Sequence, residues 1–475
     1  MAFKEGSKQE THVLMVTLSS QGHINPMLRL GKRLVEKGLH VTLATTEFGG
    51  QRMLKASAIS STTGINFISG IRLLFFPDGF RLDYDRSNNL DHYMEYLAKI
   101  GPVKLSNLIK EYYHDTDKKL SCIISNPFVS WVVDAALENR VPCAMLWIQP
   151  CSLYAIYYSF YNKLNPFPTL TNPDMGLELP GLPLLHSHDL PSFVLPTNPF
   201  RSFPRLLSDM FQNMKRHKWV LANSFFELEK EVIDSMAELC PIRPVGPLVP
   251  PSLLGEDQSL DAGIEMWKPD ETSLEWLNNQ QPASVLYVSF GSIIALPVKL
   301  MEAIATALKN TNHPFLWVVK RPEFPSADGA GELPIGFEEE TKNQGLIVPW
   351  SPQTKVLAHP SIACFMTHCG WNSMLETLAA GVPVIAYPQW TDQPTNAKLI
   401  VDGLKVGLRL QPGADGLISN KDVEDCIKQI LRGPKSEEFQ KNAAVLKQAA
   451  REAMATGGSS DRNIELLVNE IVGSS

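Results

Sequence analysis

The segment "HVLMVTLSSQGHINPMLRLGKRLVEKGLHVTLATT", residues 12–46, changes its apolar period twice. A continuous apolar run over residues 13–18 reads as a buried strand. Asn25 is suited to cap a helix, with Pro26 in the first turn. Met27, Leu28, Leu30, Leu34 and Val35 then fall at helical spacing. Gly38 stops the helix and "HVTLATT" is the next strand. Strand, helix and strand in this order make a βαβ unit, hence a parallel sheet. No GxGxxG occurs, so the dinucleotide fingerprint is absent.

The same grammar recurs in "CIISNPFVSWVVDAALENRVPCAMLW", residues 122–147, and starts afresh in "SVLYVSFGSIIALPVKLMEAIATALKNTNHPFLWVVK", residues 284–320. Between the two lies a stretch rich in Pro, Gly and acid, residues 244–269, which reads as a linker. The expectation is an α/β protein of two similar doubly wound domains facing each other across a cleft, with ligands at the carboxyl ends of strands. The boundaries expected are 1–245, a linker at 246–270, 271–455, and a final helix within 456–475 that packs back on the first domain.

Charge and cysteines narrow the classes. The formal charge is -7 with no dense basic run, which argues against nucleic acid as a partner. The seven cysteines are scattered, odd in number and without a CxxC, which fits a reducing compartment and neither a disulfide framework nor a zinc site. No apolar run of spanning length occurs and "MAFKEGSKQET" is polar, so a cytoplasmic, monomeric protein without a transmembrane segment is expected.

The densest chemistry lies in "MTHCGWNSMLETLAAGVP", residues 366–383. "SIACFMTH" reads as a buried strand and "NSMLETLAA" as the helix after it. His368 and Cys369 lack the spaced partners of a metal site. As a Cys–His nucleophile they would have to face each other, and neighbours at a strand end diverge. A purely structural role competes with a third reading. A helix start offers free N–H groups and a partial positive charge to a phosphate, Gly370 lets backbone approach closely, and Asn372 and Ser373 add donors. "SFGS", with Gly291 and Ser292, is a second such turn.

The wider pattern favours the phosphate. Residues 350–393, "WSPQTKVLAHPSIACFMTHCGWNSMLETLAAGVPVIAYPQWTDQ", closely resemble the 44-position signature box of plant family 1 UDP-sugar glycosyltransferases. The match includes Trp350, Pro352, Gln353, His368, Gly370, Trp371, Asn372, Ser373, Glu376, Asp392 and Gln393. Outside the box, "GHINP", "FPDGF", "NPFVSW", "PGLPLL", "NSFFELE", "PVGPL", "YVSFGS" and "GGSSDRN" extend the resemblance over nearly the whole chain. It implies the GT-B fold, two Rossmann-like domains with UDP-glucose as donor substrate held mainly by the second. On this resemblance Trp350 stacks on the uracil and Gln353 meets its edge or the ribose. Glu376 takes the ribose hydroxyls. His368, Asn372, Ser373 and Ser292 hold the diphosphate. Trp371, Asp392 and Gln393 contact the sugar, the final Gln being a mark of glucose donors. No cofactor and no metal are expected, since no carboxylate pair brackets the phosphates.

The resemblance also makes His23 the general base that takes a proton from the acceptor as it attacks the anomeric carbon, with inversion. In most of the family an Asp orients that His. The matching position here is Asn126, and Asp134 lies two helical turns further on. Asn cannot stabilise an imidazolium as a carboxylate does, and in a serine-protease triad that loss costs on the order of 10⁴ in rate. "NPFxxW" is similar to the branch that makes glucose esters of phenolic acids. A carboxylic acid, with a pKa of about 4, arrives ionised and needs no base. Acidic polyphenols, reacting at oxygen or at carbon, stay open, as do terpenoid or hormone acceptors. Met94, Asn126, Phe128, Trp147 and the run "LYAIYYSFY" are candidates for the acceptor pocket. Two further classes compete: a non-catalytic nucleotide-sugar binder, which would not need His23, and a phosphorylase-like enzyme, for which no lysine stands out.

Overall fold

A computed structural model describes residues 10–56, 60–62, 65–86, 89–114, 118–257, 261–264, 272–291, 296–320, 330–413 and 416–473. Among these residues the strands form two sheets. The first contains β1 (His12–Val16), β2 (His40–Thr46), β3 (Ser60–Thr62), β4 (Ile65–Ile68), β5 (Ile71–Phe76), β6 (Leu120–Ser125), β7 (Cys143–Trp147), β8 (Trp219–Ala222) and β9 (Arg243–Pro244), in the order β3-β4-β5-β2-β1-β6-β7-β8-β9. The second contains β10 (Val285–Ser289), β11 (Phe315–Val318), β12 (Gly345–Val348), β13 (Ile362–Thr367), β14 (Val384–Ala386) and β15 (Gly407–Arg409), in the order β12-β11-β10-β13-β14-β15. Pairing is parallel throughout, except where β3, β4 and β5 meet antiparallel. The strands at the centre are buried along their whole length in both sheets, as continuous apolar runs require when helices cover both faces.

The switch of strand order falls beside β1 in one sheet and beside β10 in the other. β1 leads into the helix start that bears His23 and β10 into the turn that bears Gly291, so each unit presents these residues at such a crevice. The fold is GT-B: two Rossmann-like parallel-sheet units, with the site at their facing ends.

Helix α1 (Gln21–Glu36) departs from the sequence reading. It begins at Gln21 after Ser20, so Asn25 is not its cap and Pro26 lies inside it. Proline has no N–H to give the carbonyl four residues back, which is that of Gly22. That carbonyl accepts from the Asn372 side chain of the second unit instead, at 2.8 Å. The proline is thus tolerated within the helix because its unmet acceptor finds a partner across the cleft. Asn25 also reaches across. Its amide donates to the Ile264 carbonyl at 3.1 Å and accepts from the Ile264 N–H at 2.9 Å.

The connection between the units is packed. Leu248, Val249, Leu253 and Leu254 are buried in one apolar cluster with Leu28 and Leu30 of the first unit and Leu375 and Leu378 of the second. The helix Ser459–Gly473 lies against the first unit, tied by Lys37 to Asp461 at 2.8 Å and by Arg243 to Glu470 at 2.8 Å. No described helix is long and apolar enough to cross a membrane.

Candidate active site

On the second unit, Trp350 follows β12 and is partly buried. Gln353 opens the helix Gln353–Ala358, and Ser373 and Glu376 stand on the helix Trp371–Ala380. The Gln353 amide nitrogen donates to Ser373 Oγ at 2.9 Å and to Glu376 Oε2 at 2.8 Å. Both its N–H groups are thereby committed, which leaves the amide oxygen as an acceptor. Burial raises the Glu376 pKa, while Arg29 and the Gln353 hydrogen bond oppose that rise. Its carboxylate form can accept hydrogen bonds from hydroxyl groups.

His368 sits at the carboxyl end of β13 between two glycines. A Cβ on Gly291, whose φ is +79°, would come within 2.9 Å of the imidazole, and one on Gly370 within 2.6 Å. Burial lowers the His368 pKa to about 4, so the ring is a neutral donor at physiological pH. Cys369 is buried and its thiol is pushed up to about 12, which removes it as a nucleophile. Gly370 precedes the helix and has no side chain to cap its first N–H groups, so that end is suited to an anion. Ser292 lies outside the described residues.

Trp371 corrects an expectation. Its indole is buried and donates to the Asn223 carbonyl of the first unit at 2.8 Å. The side chain therefore joins the two units and is not turned to a sugar. The reason is burial: an indole N–H removed from water requires a partner, and Asn223 supplies one. Asp392 and Gln393 lie at the start of the helix Gln393–Lys398. Asp392 accepts from Thr391 Oγ1 and Asn396 Nδ2, both at 2.8 Å. Gln393 Oε1 accepts from the N–H groups of Gln389 at 3.0 Å and Trp390 at 3.3 Å, which closes the loop on itself.

On the first unit, His23 lies in the first turn of α1. Its Nδ1 is 2.9 Å from Asn126 Oδ1. The Phe128 N–H donates to the same oxygen at 3.3 Å, which identifies that atom as the acceptor. His23 must then carry its proton on Nδ1, leaving the Nε2 lone pair free. Burial lowers its pKa to about 4, and the Asn126 hydrogen bond only partly opposes this. Asn126 is fully buried, and among the described residues its Nδ2 has no hydrogen-bond partner. Asp134 is held by Arg216 on the far side of its helix and does not assist His23.

Phe128 stands edge-on to His23, with ring centroids 5.3 Å apart. Trp147 is a second correction. It is 0% exposed, donates to the Pro150 carbonyl at 2.9 Å, and packs against Tyr154, Tyr157 and Phe211. It belongs to the core, as do Tyr154 and Tyr157 of the aromatic run. Met94 is buried beside a groove of about 550 Å³ between the helices Leu90–Ile109, Val132–Glu138 and Ser202–Gln212.

Beyond Phe128, residues the sequence reading missed extend a row of rings. Phe128 meets Phe203 at 5.8 Å, Phe203 stacks on Phe193 at 5.1 Å, and Phe200 lies 5.7 Å from Phe203 and 5.4 Å from Trp390. The row leads from His23 to the loop that bears Asp392. Phe193 and Phe200 come from an irregular segment with no apolar period and Phe203 from the helix start that follows it; the recurrence of Phe in "SFVLPTNPFRSFP" is the signal that was available.

The chain is similar to known proteins over nearly its whole length. The family described as "UDP-glucoronosyl and UDP-glucosyl transferase" matches residues 205–451. Limonoid UDP-glucosyltransferase of Citrus unshiu is 43% identical over 98% of the chain and 91% of its own length. Gallate 1-beta-glucosyltransferase 84A24 of Punica granatum is 43% identical over 98% of the chain and 90% of its own. Among solved structures, Os79 from O. sativa in complex with UDP superposes with a TM-score of 0.83 at 30% identity, covering 97% of this chain and 100% of that one.

Proposed function

This chain belongs to the UDP-glucuronosyl and UDP-glucosyl transferase family, and from that premise we propose that it is an inverting UDP-glucose-dependent transferase that glucosylates small, acidic plant phenolics. The observation that carries the acceptor class is the His23–Asn126 pair: a neutral imidazole with a free Nε2, oriented by an amide that brings no charge.

The donor lies on the second unit. The Trp350 indole stacks on the base, Glu376 and the Gln353 oxygen meet the ribose, and Asp392 with the Gln393 amide reads the glucose hydroxyls. The diphosphate is met by His368, Ser373 and the uncapped start of the helix Trp371–Ala380. Asn372 is committed to the Gly22 carbonyl and holds the base-bearing helix against this end. The acceptor oxygen bonds to the anomeric carbon as the bond from that carbon to the β-phosphate oxygen breaks, and the electron pair leaves with UDP. Preorganised donors stabilise the departing charge. Since these donors are neutral N–H and O–H groups and a helix end, no divalent metal is required.

For a phenol, His23 Nε2 takes the proton in this step. The imidazolium that forms is buried beside an uncharged amide, so His23 is a weak base. An acceptor that is ionised before it binds avoids that cost altogether. Phenolic carboxylic acids and acidic polyphenols meet this condition, and the row of rings from Phe128 to Trp390 suits a flat aromatic body. The gallate enzyme of Punica granatum, named for a phenolic acid, supports the reading. The limonoid enzyme of Citrus unshiu supports a second one, an acidic terpenoid.

The test is to incubate the protein with UDP-glucose and, separately, phenolic acids, flavonoids, dihydrochalcones and triterpenes, with products read by mass spectrometry. Alkali then separates esters, which it cleaves, from ether and carbon linkages. Preferred, rapid glucosylation of an aliphatic alcohol would falsify the argument from Asn126.

A further inference from the structure

Asp189 lies on the first unit, is 1% exposed, and serves the second. Its Oδ1 accepts from Arg409 Nη1 at 2.7 Å, and its Oδ2 lies 3.5 Å from Lys398 Nζ. Its main-chain carbonyl accepts from Thr395 Oγ1 at 2.7 Å. A carboxylate this deeply buried, facing two cations of another unit, is strongly held in place, and so is the turn that bears it.

Three residues later the same turn grips the sugar-side loop. The Ser192 N–H donates to the Thr391 carbonyl at 2.9 Å, and the Thr391 N–H donates to Ser192 Oγ at 2.9 Å. These two bonds hold the peptide groups on either side of Thr391. That residue stands at φ +55°, a left-handed conformation that a β-branched side chain resists. The next two residues are Asp392 and Gln393. The loop therefore keeps a strained shape because a segment of the other unit clamps it.

We propose that Asp189 and Ser192 are positioning residues: they fix Thr391 in its strained conformation and thereby set the angle at which Asp392 and Gln393 meet the sugar of the donor. This rests on the reading of UDP-glucose as donor. The device acts on the sugar alone, because the residues assigned to base, ribose and diphosphate lie on other elements. It also carries a link to the acceptor side, since Phe193 of the same turn belongs to the row of rings above His23.

Ser192→Ala removes one bond of the clamp, and Asp189→Asn weakens the anchor. Steady-state kinetics with UDP-glucose and UDP-galactose, and calorimetry with UDP alone, separate the possible roles. In both variants KM for UDP-glucose should rise about three- to tenfold, the effect of one lost hydrogen bond, and the preference over UDP-galactose should narrow. Affinity for UDP should stay at the parent value. Thr391→Asn in the Ser192→Ala background should recover part of the loss, because asparagine tolerates positive φ better than a β-branched residue and keeps a polar side chain beside Asp392. A role in stability alone would lower the melting temperature and leave the sugar preference intact; that result overturns the proposal. So does a fall in UDP affinity that matches the fall for UDP-glucose. Should Asp189→Asn fail to fold, Ser192→Ala decides. A parent protein that does not bind UDP-glucose overturns the functional reading and this inference with it, whereas a parent that binds it, with variants that bind and discriminate equally well, overturns the positioning role alone.

Discussion

The two facing ends of the molecule are built to opposite designs. On the second unit the polar groups are locked to one another: Gln353 to Ser373 and Glu376, Asp392 to Asn396 and Thr391, Gln393 to its own loop. On the first unit a single titratable group, His23, meets a single polar partner amid aromatic rings. A fixed ligand is read by hydrogen bonds whose geometry is set in advance. A surface of rings imposes shape and little direction, and it accommodates related aromatic molecules. On the proposed function the two ends divide the chemistry, with recognition of the donor on one and proton transfer and acceptor choice on the other.

The largest effect expected is on the acceptor end. His23→Ala should lower turnover of a phenol by about 10²- to 10⁴-fold, the usual worth of a general base. The same variant should retain most of its activity on a phenolic carboxylic acid, which has no proton to give up. Chromatography of both products from one enzyme preparation checks this. Equal losses on the two acceptors would show that His23 does more than remove a proton.

Next comes the donor end. Trp350→Ala should weaken UDP binding about ten- to a hundredfold, as loss of one aromatic–base stack does. Calorimetry reads it directly. If the affinity holds, the base does not lie on this indole and the division between the ends is misdrawn.

Asn126→Asp sharpens the comparison by giving the acceptor end a charge. A carboxylate beside the imidazole raises its pKa and supports the imidazolium, so turnover of weakly acidic phenols should rise about tenfold. The acid limb of kcat/KM on a phenol, near pH 4 in the parent on the lowered His23 pKa, should move upward. An unmoved limb would mean that position 126 does not govern the base.

A smaller effect concerns stability. His23, His217 and His368 are each lowered by burial to about 4 from an ordinary 6.5. Between these values the unfolded chain binds protons that the folded chain does not. Stability is therefore fully present above pH 6.5 and is lost as pH falls towards 4. Glu376 and Asp392, whose pKa values burial raises, act in the opposite sense at the acid end of this window. Melting temperatures from pH 8 to pH 4 should fall mainly below 6.5, and a flat profile would contradict the burial of these rings. The smallest effect expected is from chelation. Activity should be unchanged in EDTA, and a loss restored by one divalent metal would show that the neutral donors are insufficient.

The donor end was legible because it is nearly contiguous. Residues 350–393 span three βα turns, and the spacing from Trp350 to Glu376 and on to Gln393 follows the path of the chain. The acceptor end was legible at His23, Asn126 and Phe128, which follow the first and sixth strands. Trp147 was misplaced because a buried indole and a pocket indole read alike in a sequence, and the difference lies in Pro150, Tyr157 and Phe211 closing round it. Asn25 was misread as a cap because Asn before Pro is a common helix start; its actual partner, Ile264, is remote in sequence.

Periodicity and short motifs record what a residue does with its neighbours along the chain. The parallel α/β units and the glycine-led helix start after β13 could therefore be read from the amino acids. The strained Thr391 held by Ser192, the Gly22 carbonyl left by Pro26 and taken by Asn372, and the Trp371 indole turned to Asn223 were settled by the docking of one unit on the other. In each case a hydrogen-bonding group meets a partner that lies close in space but far away along the chain.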